Sequence, residues 1–183
     1  MSVDPIAFRK ALGCFATGVT IITTQDGEGR PVGITANSFT SLSLDPPLVL
    51  WSLRLASPSL AAFDAATHFA VNVLGEGQVD VSRRFASPVG QKFDEGQWHE
   101  GLHRVPVLGG SAAVFECERV SLQTAGDHRF GQTELARRIT AQYIALQHAV
   151  GDQLAVARGD ALGVEGRTRE RAFEVRPFRQ LQE

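Results

Sequence analysis

Cysteine is nearly absent from this chain. Cys14 and Cys117 are the only two, far apart in sequence and each set among apolar neighbours. That spacing argues against a disulfide framework or a paired-cysteine metal site and for two buried thiols in a reducing cytoplasm. An excess of charge of one sign is missing as well. The net charge is −2, so there is no basic face of the kind nucleic acid requires. No apolar run reaches the length of a membrane span. No basic, apolar, small-residue leader precedes Asp4, which argues against a secretory signal. Internal repeats, low-complexity tracts and linkers are not found, nor is a G-x-S-x-G elbow or a phosphate-cradling P-loop.

What remains is a chain of 183 residues, 43% hydrophobic, which suits one globular domain with a sizeable core. That domain is expected over residues 1–183, with residues 164–183 as a polar tail. Asp4-Pro5 reads as an N-cap followed by proline at the first helical position. Phe8, Leu12 and Phe15 recur at helical spacing, so residues 5–15 predict an amphipathic helix. VTIITT, a turn at Asp26-Gly27 and PVGITANS predict a hairpin. A polar loop then runs to Pro46-Pro47 and gives way to a strand at LVLWSL. Ser57-Pro58-Ser59 predicts a helix over LAAFDAA, started by its capping hydroxyls. HFAVNVL reads as a strand, VDVSRRFA as a short helix, and residues 87–110 as irregular. AVFECERVSLQT and RRITAQYIALQ read as strands, with GQTEL between them as a short helix or inserted loop. Many strands, few short helices and no βαβ alternation predict a closed antiparallel barrel with helical decoration.

His99-Glu100-Gly101-Leu102-His103 matches the H-E-x-x-H pattern of zinc proteases. That chemistry needs both imidazoles on one helical face. Gly96, Gly101 and Pro106 break any helix here, so a loop carrying two histidines is the reading. Gly75-Glu76-Gly77 lacks the third glycine of a dinucleotide fingerprint and reads as a turn.

The stretch from Gly33 to Leu53 is different. Thr35, Ser38, Thr40, Ser41, Ser43 and Ser52 bring hydroxyls, and Asn37 an amide, between strands that look buried. Such groups donate and accept without charge, so they suit the edge of a planar polar heterocycle or an anion. Ser57, Ser59 and the Arg83-Arg84 pair offer phosphate partners. Serine and threonine also stitch turns, and composition by itself leaves both readings open.

FRKALGCFATGVTIITT, GRPVGITANSFTSLSLDPPLVLWSL, SPSLAAF, HFAVNVL, SRRFA, KFD, Trp98, ECERV and GDH, taken together, resemble the flavin reductase-like family over about residues 5–128. The resemblance implies a mainly β split barrel with short helices. It also implies an NAD(P)H-dependent reductase of FMN or FAD, using NADH or NADPH and feeding a flavin-dependent monooxygenase component. By the same resemblance, Thr35, Ala36, Asn37 and Ser38 hold the isoalloxazine ring. Ser52, Ser57, Ser59, Ser82, Arg83 and Phe85 serve the ribityl phosphate and its neighbourhood, and His128 lies by the nicotinamide. A homodimer with flavin near its interface is implied too, and the family's loop at residues 98–106 carries no metal; the composition itself points to a cytoplasmic protein without a nucleic-acid or membrane partner. The rival readings are a non-catalytic flavin carrier and a split-barrel interaction module.

Two departures from the family pattern stand out. Arg129–Leu135 intervenes where relatives pass from G-D-H directly into an apolar strand. Arg158-Gly159-Asp160-Ala161-Leu162 also lacks the aromatic common after the R-G pair.

Overall fold

The computed structural model describes residues 3–141 and 171–173, with side chains described as far as Glu134. Helix α1 (Pro5–Leu12) starts where the sequence places it. Asp4 caps it, its carboxylate accepting the Ile6 and Ala7 amides at 3.1 and 3.3 Å. The helix ends at Leu12, short of Phe15, and none of its residues is buried within the chain. Cys14, just beyond it, is therefore exposed, which corrects the reading of two buried thiols. Only Cys117 is enclosed, and burial pushes its thiol up to about 12.

Strands β1 (Thr20–Gln25) and β2 (Pro31–Ala36) form the expected hairpin. β3 (Thr40–Leu44) and β4 (Pro47–Arg54) form a second one. The polar loop expected before Pro46 is thus itself a strand. The alternation of Thr40, Ser41 and Ser43 with Leu42 and Leu44 suits an edge strand with little burial on either face. α2 (Leu60–Ala65), β5 (His68–Val73) and α3 (Val79–Ala86) follow. The region expected to be irregular holds a small hairpin, β6 (Trp98–Glu100) with β7 (Pro106–Leu108). β8 (Ala113–Ala125), β9 (His128–Ala141) and β10 (Arg171–Phe173) complete the described chain.

The segment expected as an insertion, Arg129–Leu135, is the first half of β9. It pairs with β4 on one side and β8 on the other, so residues 129–135 are sheet and neither helix nor loop. The rest of the expected strand, beyond Ala141, lies outside the described residues, as do Arg158–Leu162 and all but residues 171–173 of the expected tail.

One sheet runs β2-β1-β5-β8-β9-β4-β3, with β10 beside β9 and every pairing antiparallel. The expected closure is not made by backbone pairing: β2 and β3 remain the two ends of the path. They are nevertheless consecutive in the chain, so the loop between them must bridge the gap. Inside the curl, Ile22, Ile34, Trp51, Leu53, Phe63, Phe69 and Val71 form the core. Trp51 meets Phe63 and Phe69 edge-on at 5.2 and 5.4 Å between ring centres. Asn72, fully buried, donates to the Ile21 carbonyl and the Thr23 hydroxyl and accepts the Leu108 amide. It thereby ties β7 to β1 and β5.

In the HEGLH segment, His99 and Glu100 lie on β6, while His103 sits in a one-turn 3₁₀ helix with φ of 54°. The two imidazoles are not on one helical face, so the geometry of a zinc protease is not formed. His103 instead stacks on His68 at 3.6 Å.

Candidate flavin site

The end of β2, the end of β4 and the end of α3 converge on an open cavity of about 450 Å³. That is within the roughly 300–1,000 Å³ range of small-molecule and cofactor sites. Ile34, Thr35, Ala36, Asn37 and Ser38 form one wall. Ser52, Leu53 and Arg54 form the next, continued by the turn Ser57-Pro58-Ser59. Phe85, Ala86, Ser87, Pro88 and Lys92 close the third side, and His128 stands on the rim.

The hydroxyls in this wall do two different jobs. Thr35 Oγ1 donates to the Ser82 carbonyl at 2.6 Å and so ties α3 to β2. Ser38 Oγ accepts the Ser52 amide and donates to the Ser52 carbonyl, at 3.0 and 3.1 Å. One side chain thus replaces a backbone partner at the point where the sheet path is open. Ser57 Oγ accepts the Ser59 amide at 3.3 Å. The expected cap by Ser59 is not formed: its hydroxyl makes no bond to α2 and is left on the cavity wall. Asn37 is exposed, and no side-chain hydrogen bond joins it to another described residue. Its amide is available to a ligand.

Eight of the residues expected at the site meet in this cavity besides Phe85: Thr35, Ala36, Asn37, Ser38, Ser52, Ser57, Ser59 and His128. Ser82 and Arg83 do not line it. Ser82 supplies the carbonyl that Thr35 binds. Arg83 faces Asp80 at 3.4 Å in solvent, and Arg84, the other expected phosphate partner, pairs with Glu95.

Two cations that sequence reasoning did not single out line the cavity instead, Arg54 and Lys92. Lys92 Nζ donates to the Phe85 carbonyl at 3.0 Å and lies 5.9 Å from the Phe85 ring centre. Burial holds its ammonium below the ordinary lysine range. The Phe85 ring is itself held by Phe93 and Trp98, which meet it at 5.0 and 5.4 Å. Gly33 permits this arrangement, because a Cβ there would come within 2.5 Å of the Phe85 ring. Lys92 opens the KFD motif already visible in the sequence, which was the available signal. Arg54 carried a fainter one, a charge ending an apolar strand. Among the described residues, no aspartate or glutamate lines the cavity. A neutral hydroxyl and amide wall with cations at its margin suits a planar polar ring bearing an anionic tail.

At the rim, His128 Nδ1 meets Asp127 Oδ1 at 2.7 Å, and that hydrogen bond holds the Asp127 carboxyl below the usual range. Arg54 and His128 are paired residues of β4 and β9, which sets them side by side at the mouth.

The model of the flavin reductase like domain matches residues 12–134, two thirds of the chain. The chain belongs to this family. It is 44% identical over 153 residues to an FMN reductase (NADH) of Agrobacterium fabrum, covering 84% of this chain and 82% of that protein. It is 39% identical over 165 residues to the reductase subunit of a flavin-dependent monooxygenase of Mycobacterium tuberculosis, covering 89% and 84%. Among solved structures, an NADH:FAD oxidoreductase of Streptomyces globisporus in complex with NAD and FAD fragments superposes with a TM-score of 0.72. The identity there is 36%, over 79% of this chain and 88% of that one. The fold is accordingly the flavin reductase split barrel, mainly β with short helices. The chain spans about half the length of two rhizobial relatives it also matches, 40% of one and 54% of the other.

Proposed function

We propose that this protein is an NAD(P)H-dependent flavin reductase that binds FMN or FAD in the cavity between β2, β4 and α3. The observation that carries the reading is the composition of that cavity: uncharged hydroxyls and an amide on its walls, cations at its edge, and no carboxylate among its described lining residues. The chemistry supplied by flavin there is acceptance of a hydride from the nicotinamide, with a proton taken from water. The residues of this chain bind and orient. Asn37 and the backbone around Ala36 meet the ring edge, Ser57 and Ser59 the ribityl side, and Lys92 the phosphate. Phe85, clamped by Phe93 and Trp98, makes the apolar wall. His128 and Arg54, side by side at the mouth, guide the dinucleotide over the open face. Such catalysis rests on bringing two rings into reacting distance, so it needs no nucleophile.

The reductase subunit relative supports a flavin-dependent monooxygenase as the recipient of the reduced flavin. A second copy of the chain covers α1 and β3 in the same reading. Ile6, Phe8, Leu12 and Phe15 are exposed around α1, and Leu42 and Leu44 on β3. Apolar side chains exposed together in this way favour a covering surface. No described helix is long and apolar enough to cross a membrane. The single domain and its place in a reducing cytoplasm belong to the same proposal.

Anaerobic mixing of the protein with FMN or FAD and each nicotinamide tests the activity, through loss of oxidised flavin absorbance. Tight flavin binding with no bleaching by either nicotinamide would leave a carrier in place of a reductase.

A further inference from the structure

His128 is the first residue of β9, at an end of the sheet, where it pairs with Arg54 of β4 and Ala125 of β8. The turn before it carries Gly126 in the left-handed region, φ 58°, and its neighbours Ala125, Gly126 and Asp127 are all exposed. A strand end of this kind frays unless something anchors it. Two bonds flank His128, one to the residue after β4 and one to α2. The Leu55 amide donates to the Asp127 carbonyl at 2.9 Å, immediately before it. Immediately after it, Arg129 Nη2 meets Asp64 Oδ2 at 2.9 Å.

Successive residues of a strand face opposite ways. His128 shares a face with Arg54, and both line the cavity. Arg129 lies on the other face, is not among the lining residues, and runs to α2. Its guanidinium also reaches Thr124 Oγ1 at 3.0 Å, across the β8–β9 hairpin. Asp64 is held from the far side, since Arg119 donates to its carbonyl at 2.6 Å. α2 begins directly after Ser57-Pro58-Ser59, which lines the cavity.

We infer that the Asp64–Arg129 ion pair is a positioning device for His128, fixing the strand end that carries it relative to the serine turn on the other side of the cavity. This inference rests on the reading of His128 as the nicotinamide-side residue. Both members are about one-third exposed, at 30% and 32%, so the pair is shielded more than a surface contact. Asp64 Oδ1 and Arg129 Nε are both buried without a hydrogen-bond partner among the described residues. An acceptor and a donor of one pair thus stand unused, and a single N–H···O bond carries the ion pair. Removing the charge of Asp64 therefore weakens the tie between the strand end and α2, the one contact here that reaches the element following the serine turn, and no alternative partner is in place for Arg129 Nε.

Steady-state kinetics with varied NADH at saturating FMN or FAD test the inference, with flavin titrations and thermal melts alongside. Asp64→Asn and Arg129→Gln should each raise KM for NADH about three- to thirty-fold, with flavin dissociation constants within about twofold of the parent. Asp64→Glu should recover most of the loss. The decisive comparison is the double variant Asp64→Asn/His128→Ala, which should be no worse than His128→Ala within about twofold, because both changes remove the same contact. Multiplied losses in the double variant would overturn the inference. So would parental KM in both single variants, or flavin affinity falling in step with NADH affinity. Impairment by His128→Ala with none by Asp64→Asn defeats the ion pair's role and leaves that of His128 standing. Parental kinetics for His128→Ala removes the histidine from the site and the positioning role with it.

Discussion

Ser38 and Ser52 make two hydrogen bonds through one hydroxyl: Ser38 Oγ accepts the Ser52 amide and donates to the Ser52 carbonyl. The neighbouring Asn37 makes no side-chain bond to a described residue, so two adjacent polar residues have separable roles. Ser38→Ala should lower stability by roughly 1–3 kcal/mol, because it strands a half-buried amide and carbonyl of β4. Its flavin affinity should fall as a consequence of the loosened loop. Asn37→Ala should leave the melting temperature near the parent value and weaken flavin binding by roughly 1–3 kcal/mol if the lost bond is enclosed. Parallel urea melts and flavin titrations check both. Equal titration curves for Asn37→Ala and the parent would return Asn37 to the solvent.

The fold was legible wherever hydrophobic pattern and turn chemistry agreed. Asp4-Pro5, the Asp26-Gly27 turn and the apolar run through β4 each state one structure, and each is found. β3 was missed because TSLSL lies at the sheet edge, where burial does not select apolar residues on either face. β9 was misread because Gly131, Gln132 and Glu134 carry little strand propensity. Register against β4 and β8 decides that segment, and register is a long-range property. Exposed Cys14 was misread for a related reason, since the apolar spacing of α1 does not translate into burial of any of its residues.

The candidate site divides in the same way. Thr35 to Ser38 and Ser57 to Ser59 are two short polar clusters visible in the sequence, but composition left their role open, and only the family resemblance joined them into one site. Lys92 and Arg54 join it only through the packing of Phe85 and the β4–β9 register. Arg83 shows the converse, a cation beside the right motif that helix geometry turns into solvent.

Lys92 is expected to meet the flavin phosphate. Its ammonium is held by the Phe85 carbonyl, and burial keeps it below the usual lysine range. Lys92→Gln should weaken FMN or FAD binding by roughly 1–2 kcal/mol, the scale of a partly exposed charge-assisted bond. The parent should lose affinity as salt rises, and the variant should show a shallower dependence. Binding by the parent should also weaken toward alkaline pH, earlier than an ordinary lysine would dictate, as the ammonium deprotonates. Riboflavin, which has no phosphate, supplies the control: its affinity should be the same for both proteins.

Stability should fall in acid through His68, whose imidazole stacks on that of His103. Burial, then the nearby His103, hold the His68 pKa below its usual 6.5, while Glu118 opposes them. The unfolded chain therefore takes up a proton at His68 more readily than the folded one. Stability is complete above the unfolded value and declines as pH falls through 6.5 toward the lower folded value. His68→Gln should flatten the melting temperature between about pH 7 and pH 5 relative to the parent. A slope that persists unchanged in the variant would assign the acid sensitivity to other groups.

The exposed face of α1 is expected to be an interface with a second copy. Phe8, Leu12 and Phe15 follow one another at spacings of four and three residues, which places them on one side of a helix and its continuation. Phe15 is 78% exposed and Leu44, on the edge strand β3, is 85% exposed. Surfaces of this kind are unfavourable in water unless covered, and a two-fold contact covers both copies at once. Sedimentation at about ten micromolar should report a dimer. Leu12→Asp should shift it to monomer, since a carboxylate at a buried contact costs far more than one in solvent. α1 buries no residue inside its own chain, so the variant's barrel should still fold. Circular dichroism of the monomer should retain the sheet signal, and flavin affinity should drop if the partner closes the cavity. A parent protein that sediments as a monomer while binding flavin tightly would leave the apolar face of α1 for some other surface.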